Sequence, residues 1–373
     1  MSNEQKCFVL QRTKNLQEIA AWPNSAVPIA AQVNELIPEL CKVPYDYLYR
    51  DSGSAMAECT ALVWEYTGID SFRGTNLDVY NFEAESTGAK INFYKGHIPD
   101  VDRNHFFIQS EDDLDKIRFN GLESGRIPYL IEFSKRQNEL CGLEQFPAFC
   151  APWSLACNLY GYENVVMDAV GDPEFLHELF RRIVDDLSAP MILALADAIP
   201  GCAAVSLVDA WASPPMVSVD MIEEFVDPYL KRLAEKLGGI PVRDAGVWGI
   251  SKLNENDQKR FIQFLLRNGS LSVYDPDVEA LTPEYCRKLA TENNSMLLLG
   301  YSTSHLESAS LVEIVEQVKR YVLAGKKGPT PLLFFLNNIG PFTPVEKIHT
   351  AVAAARTYGA QGADENTPFM MPE

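Results

Sequence analysis

Residues 271–275 read LSVYD, 296–301 read MLLLGY and 331–338 read PLLFFLNN, with helix-patterned chain between them. Two earlier runs repeat the arrangement, AAVSLVD at 203–209 and IPVRD at 240–244. Short apolar runs alternating with amphipathic helices read as βα units around a parallel sheet. Further back, VPIAAQV at 27–33, IDSF at 69–72 and FPAFCAP at 146–152 supply three more runs. Helix-patterned connections fall at 216–237, 252–267, 282–293, 310–324 and 344–357. Eight βα units predict an α/β fold, a single (β/α)8 TIM-type barrel domain over 1–373. An open doubly wound sheet is the alternative. It usually shows a Gly-rich phosphate turn after its first strand, and none follows Val33.

Local signals refine this outline. Gly68 suits the C-cap of a helix over 54–68. Ser110 followed by Asp113 predicts a helix N-terminus, and so does Asp172-Pro173. The alternating stretch GAKINFYKGHIP, 88–99, reads as a β-excursion. Residues 1–25, with a short helix near 16–22, and 80–130 are decorations on the barrel.

Composition bounds the function. The chain has 373 residues, 47% hydrophobic and 22% charged, as an ordinary globular protein does. Its net charge of −19 opposes nucleic acid and anionic membrane surfaces. The first 14 residues are polar, without a signal-peptide core, and no apolar run reaches membrane-spanning length. The 8 cysteines include no CxxC pair. A cytoplasmic protein with free thiols is expected.

Strand carboxyl ends are where a barrel of this kind places its chemistry. Here they carry Asp209, Arg243, Asp244, Tyr274, Asp275, Tyr301, Asn337 and Asn338. A buried, unpaired carboxylate is costly, so three strand-end Asp residues mark candidate catalytic groups. For each a quieter role exists: an Arg–Asp pair for Asp244, a cap of the following helix for Asp209, turn chemistry for Asp275. Trp211 would line the pocket, and Tyr301 would donate a hydrogen bond to substrate. One of Asn337 and Asn338 would face the mouth, because strand side chains alternate. His305 is the best-placed imidazole; His97 and His105 would sit on a lid. No HxxxH, HxH or CxxC spacing points to a metal.

Several segments, in order, resemble the uroporphyrinogen decarboxylase superfamily between about Trp22 and Gly359. They are FPAFCAPWSLACNLYG (146–161), GDPEFLHEL (171–179), DAWASPPMVSVDMIEEFVDPY (209–229), LLLGYS (297–302) and NIGPFTPVEKIHTAVAAARTYG (338–359). The 209–229 stretch is similar to the corrinoid-dependent methyltransferase branch. The decarboxylase's Arg-rich N-terminal motif has no counterpart near Ala30–Val33. A polycarboxylate needs several guanidinium groups, so porphyrinogen decarboxylation is the alternative rather than the expectation. Thiol-directed members carry a His-x-Cys zinc motif after the fifth strand and a Cys after the eighth. Here those segments read Val242-Arg243-Asp244 and Asn338-Ile339-Gly340-Pro341. The resemblance therefore implies the branch that demethylates methylated, often methoxylated aromatic, substrates. The methyl group passes to the corrinoid of a separate binding protein. Asp244, Asp209 or Asp275 would activate the leaving group, helped by Tyr301. Arg243, Tyr274, Trp211, Asn337, Asn338 and His305 would bind substrate. Zinc is compatible with this branch, with no ligands assigned, and so is a homodimer.

Overall fold

The computed structural model describes residues 27–70, 79–142, 146–267 and 269–369. They fall into two compact units. The expected helix near 16–22 lies outside the described residues.

The first unit contains residues 27–42, 58–70 and 248–369 of the described chain. Its centre is a four-stranded, all-parallel sheet of β1 (Ile29–Ala31), β7 (Ser270–Val273), β8 (Met296–Tyr301) and β9 (Leu332–Leu336), in the order β1-β9-β8-β7. Leu299 pairs with Phe334, and Phe334 with Ile29. Helices follow β7 (Asp277–Leu281, Pro283–Glu292), β8 (Thr303–Ser308, Leu311–Gly325) and β9 (Val345–Gly359). The Leu311–Gly325 helix opens on a capping box of Ser310 and Glu313.

Alternation along the strands gives this sheet two unlike faces. Leu271, Val273, Leu297, Leu299, Tyr301, Phe334 and Leu336 form one, each essentially inaccessible. A Cβ added at Gly325 would meet Leu299 and Leu332, so this face lies under the Leu311–Gly325 helix. Tyr274, Leu298 and Leu333 cluster on the opposite face, with Ala30 and Phe335 packed against them.

The second unit contains residues 43–57 and 79–247 of the described chain. Here β4 (Ala148–Cys150), β5 (Val205–Val208) and β6 (Val242–Ala245) form a parallel sheet in sequence order. Phe149 pairs with Leu207, Leu207 with Asp244, and Ser206 with Arg243. The excursion is an antiparallel pair, β2 (Ile91–Asn92) and β3 (Asp100–Val101), as the alternation at 88–99 predicts.

Seven of the eight expected strands are present as parallel strands. The expected strand at 69–72 is not seen at Ile69 and Asp70, and Ser71 and Phe72 lie outside the described residues. The Asp70 carboxylate instead accepts the Ile29 N–H at 2.9 Å and an Arg356 N–H at 2.7 Å. Gly68 adopts the left-handed φ of +70° that a C-cap requires. Asp172 caps its helix through Phe175 N–H. Ser110 does not: a 3-10 turn, Glu111–Lys116, follows it without a side-chain cap. The Asp113 carboxylate takes the Gln109 N–H instead. Among the described residues, no helix is long and apolar enough to cross a membrane.

Candidate active site

In the second unit a cavity of about 410 Å³ opens at the carboxyl ends of β4 and β5. Ala148, Cys150 and Val208 reach it from the strands, Ser154 and Asn158 from the helix Pro152–Tyr160. The Asn158 amide lies 3.7 Å from the Cys150 sulfur. Tyr80 and Asn81 enter from a segment with left-handed backbone, φ 28° and 62°. Arg126, nearly fully buried, holds that segment: it donates to the carbonyls of Tyr80 and Tyr49 and to Glu85.

The β-excursion supplies Tyr94, His97, Asp100 and Arg103. The Tyr94 and His97 rings stack at 3.8 Å, and His97 Nδ1 lies 2.9 Å from the Ile98 carbonyl. Arg103 donates through Nε and Nη2 to the two oxygens of Asp100, both at 2.9 Å. Its guanidinium lies 5.4 Å from the ring centre of Trp211, as a cation–π contact requires. Trp211 keeps 37% of its surface exposed, and Tyr162 packs against it at 5.2 Å.

Asp209 does not cap the short turn Ala210–Ala212 that follows it. Buried to 2%, its Oδ1 accepts the backbone N–H of Ser154 at 2.9 Å and the Ser154 hydroxyl at 2.7 Å. Ser154 Oγ in turn accepts the Trp211 N–H. Asp209 thus caps the first turn of Pro152–Tyr160 and, through Ser154, holds Trp211 at the cavity wall. Both Ser154 donors hold one carboxylate oxygen in place, which suits anchoring. Burial, helped by the charge of Asp209, pushes the Cys157 thiol well up, so it is inert. Replacing Asp209 by Ala strands the buried Ser154 donors. An isolated variant should lose about 2 kcal/mol of stability in urea unfolding. An unchanged midpoint would remove this anchoring role.

Arg243 and Asp244 are placed by the backbone register of β6 alone. Asp275, by contrast, is placed in full, and on the helix-covered face of the first unit. Its Oδ2 accepts the Ser302 N–H at 2.8 Å and its Oδ1 the Tyr321 hydroxyl at 2.9 Å. That hydroxyl also lies 2.7 Å from Glu279, which Arg320 and Gln317 contact too. Burial pushes the Asp275 carboxyl up to about 6, and the charge of Glu279 adds to this; Tyr321 and Ser302 pull the other way. Tyr301 shares this face. Its hydroxyl lies 2.7 Å from His305 Nδ1, its ring packs on Phe334 and Tyr321, and burial raises its pKa. Burial lowers that of His305. Asp275 and His305 line a separate cleft of about 670 Å³ with Glu279, Gln317 and Arg320.

Tyr274 and Asn337 stand on the opposite face. A Cβ at Gly300 would come within 2.6 Å of Asn337 Oδ1 and 3.0 Å of Tyr274, so the glycine makes room for both. Asn338 is exposed. The sequence grouping of Tyr301, His305 and Asp275 with Tyr274 and Asn337 is therefore corrected: the sheet separates them.

A family model described as "Uroporphyrinogen decarboxylase (URO-D)" matches residues 47–358. The chain belongs to the uroporphyrinogen decarboxylase family. A "Methylated-thiol--coenzyme M methyltransferase" of Methanosarcina mazei is 30% identical over 57% of this chain and 56% of its own length. A "Uroporphyrinogen decarboxylase" of Aliarcobacter butzleri is 28% identical over 40% of this chain and 43% of its own. The chain thus spans about half the length of the curated relatives it matches. A solved structure, "methyltransferase from Methanosarcina mazei", superposes with a TM-score of 0.71 at 17% identity, covering 92% of this chain and 97% of that one. The α/β fold expected from the sequence is the fold of this family.

The zinc site of thiol-directed family members does not fit this chain. Arg243 and Asp244 stand in β6, and Ile339 and Gly340 follow β9. Val242, Ile339 and Gly340 offer no metal donor, and Asp244 offers a carboxylate where those members carry a thiolate. Among the described residues, no three His, Cys, Asp or Glu side chains converge on a metal-sized site.

Sequence reasoning missed Arg103, Asp100, Cys150 and Asn158. Only the alternation at 88–99 pointed to the region of the first two.

Proposed function

We propose that this family member is a cytoplasmic methyltransferase, a single domain in function. It takes the methyl group of a small methoxylated aromatic compound to the cob(I)alamin-type corrinoid of a separate protein. The observation that carries this reading is the second unit's cavity. Its walls offer aromatic faces, Tyr80, Tyr94 and Trp211, and its volume suits one substituted ring. The methyltransferase relative supports the reaction class, and Arg243-Asp244 in place of His-x-Cys favours an ether over a thiol.

In the step proposed, the Co(I) electron pair forms the bond to the methyl carbon while the C–O bond breaks. The phenolate oxygen keeps that bonding pair and takes a proton. A phenolate is a poor leaving group at neutral pH, so the proton must be supplied as the bond breaks. We assign that proton to Asp244. Asp209 is committed to Ser154, and Asp275 is engaged by Ser302 and Tyr321 at the separate cleft. Trp211 and Tyr94 would hold the ring.

Porphyrinogen decarboxylation is the alternative, named by the second relative. The cavity speaks against it: among its described lining residues Arg103 is the single Lys or Arg, where a tetrapyrrole polycarboxylate needs several. The test is methyl transfer from methoxylated aromatics to cob(I)alamin, run beside methylation of coenzyme M or homocysteine from methylcobalamin. Transfer in the first assay and none in the second is expected. Robust thiol methylation would overturn the reading.

A further inference from the structure

We propose that Arg103 is the specificity-determining residue of this cavity, and that the ligand it selects is an aromatic ring bearing a carboxylate. The inference rests on the proposed aromatic substrate and names its second functional group.

The geometry of the guanidinium carries it. Arg103 gives Nε and Nη2 to Asp100. That leaves Nη1, with its two N–H donors, as the edge not used by the pair. Asp100 Oδ1 has donors besides Arg103: Val101 N–H at 2.8 Å and the Asn81 amide at 3.4 Å. The carboxylate therefore acts as a brace that orients the fork. The brace holds the guanidinium 5.4 Å from the centre of the Trp211 ring, beside the surface proposed to hold the aromatic ligand.

Stability does not explain the pair. Both side chains are more than a third exposed, 39% and 38%, and three residues apart. Exposed pairs of this kind contribute little to folding. Among the described lining residues Arg103 is the sole Lys or Arg, in a chain of net charge −19. An anionic ligand needs this fork, and a guanidinium binds a carboxylate with charge-assisted, directional hydrogen bonds.

Calorimetric titration of the full-length protein with benzoate, 4-methoxybenzoate and methoxybenzene tests this. The parent should bind both benzoates more tightly than methoxybenzene. Arg103→Gln should weaken the benzoates by about 10–100-fold and methoxybenzene less than about 2-fold. Arg103→Lys, which keeps the charge but loses the fork, should fall between. Equal losses for charged and neutral rings would reduce Arg103 to a structural part of the excursion and overturn the proposal. So would a parent that binds the benzoates no better than methoxybenzene, or not at all. Benzoate binding that depends on Arg103, with no methyl transfer, would leave this inference standing and remove the proposed reaction.

Discussion

Asp244→Asn should lower single-turnover methyl transfer to cob(I)alamin by about 10²–10⁴-fold while the protein stays folded. The amide keeps the size of the carboxyl group and removes its ionisable proton. General acid help of this kind is worth most where the leaving oxygen is least able to carry charge. The loss should therefore be smaller for methoxy compounds with electron-withdrawing ring substituents, whose phenolates leave more easily. Absorbance at the conversion of Co(I) to methyl-Co(III) reports the step directly. A folded variant with the parent's rate would take Asp244 out of the chemistry. Asp209 and Asp275 would not replace it easily, since Ser154 occupies the first and the second faces Tyr321 and Ser302.

Asp275→Asn should stabilise the protein at pH 8. Burial raises the folded carboxyl from 3.8 to about 6. Between those values the folded chain holds a proton that the unfolded chain has lost. Stability contributed by this group is thus complete below about pH 4 and is lost as pH rises through 6. The shift corresponds to at most about 3 kcal/mol. Burial is the cause of the preference for the neutral form, and the hydrogen bonds can be rearranged to suit it. Tyr321 has one proton and two carboxylates beside it, Asp275 at 2.9 Å and Glu279 at 2.7 Å. When Asp275 is protonated it donates to the Tyr321 oxygen, and Tyr321 donates to Glu279. An asparagine reproduces that order at every pH: its oxygen takes the Ser302 N–H and its amide donates to Tyr321. Urea unfolding at pH 5 and pH 8 should show the variant's advantage growing toward pH 8, to about 1–3 kcal/mol. An advantage independent of pH, or a loss at pH 8, would show that Asp275 is not the raised carboxyl.

The rhythm of apolar runs located seven strands within a few residues, because a buried parallel strand leaves a short continuous apolar signature. The site was less legible, for two physical reasons. Neighbouring strand-end residues point to opposite faces. Tyr274 and Asp275, adjacent in LSVYD, therefore had to separate, and Tyr301 had to part from Gly300. Strict alternation along 297–301 and 333–337 carries that information. The second reason is distance along the chain. Asp209 finds Ser154 across 55 residues, so no local pattern distinguishes it from a cap of its own helix. Arg103 and Trp211 likewise meet only once the excursion lies beside the end of β5. The motif departures at 242–244 and 338–341, in contrast, were readable directly, because they concern residue type rather than position in space.

Mixing the protein, cob(I)alamin and 4-methoxybenzoate under anaerobic conditions tests the proposed reaction most directly. Formation of methyl-Co(III) with one equivalent of 4-hydroxybenzoate is the predicted result. Release of carbon dioxide from a carboxylated substrate without any corrinoid, and no methyl-Co(III) from any methoxylated aromatic, would contradict it.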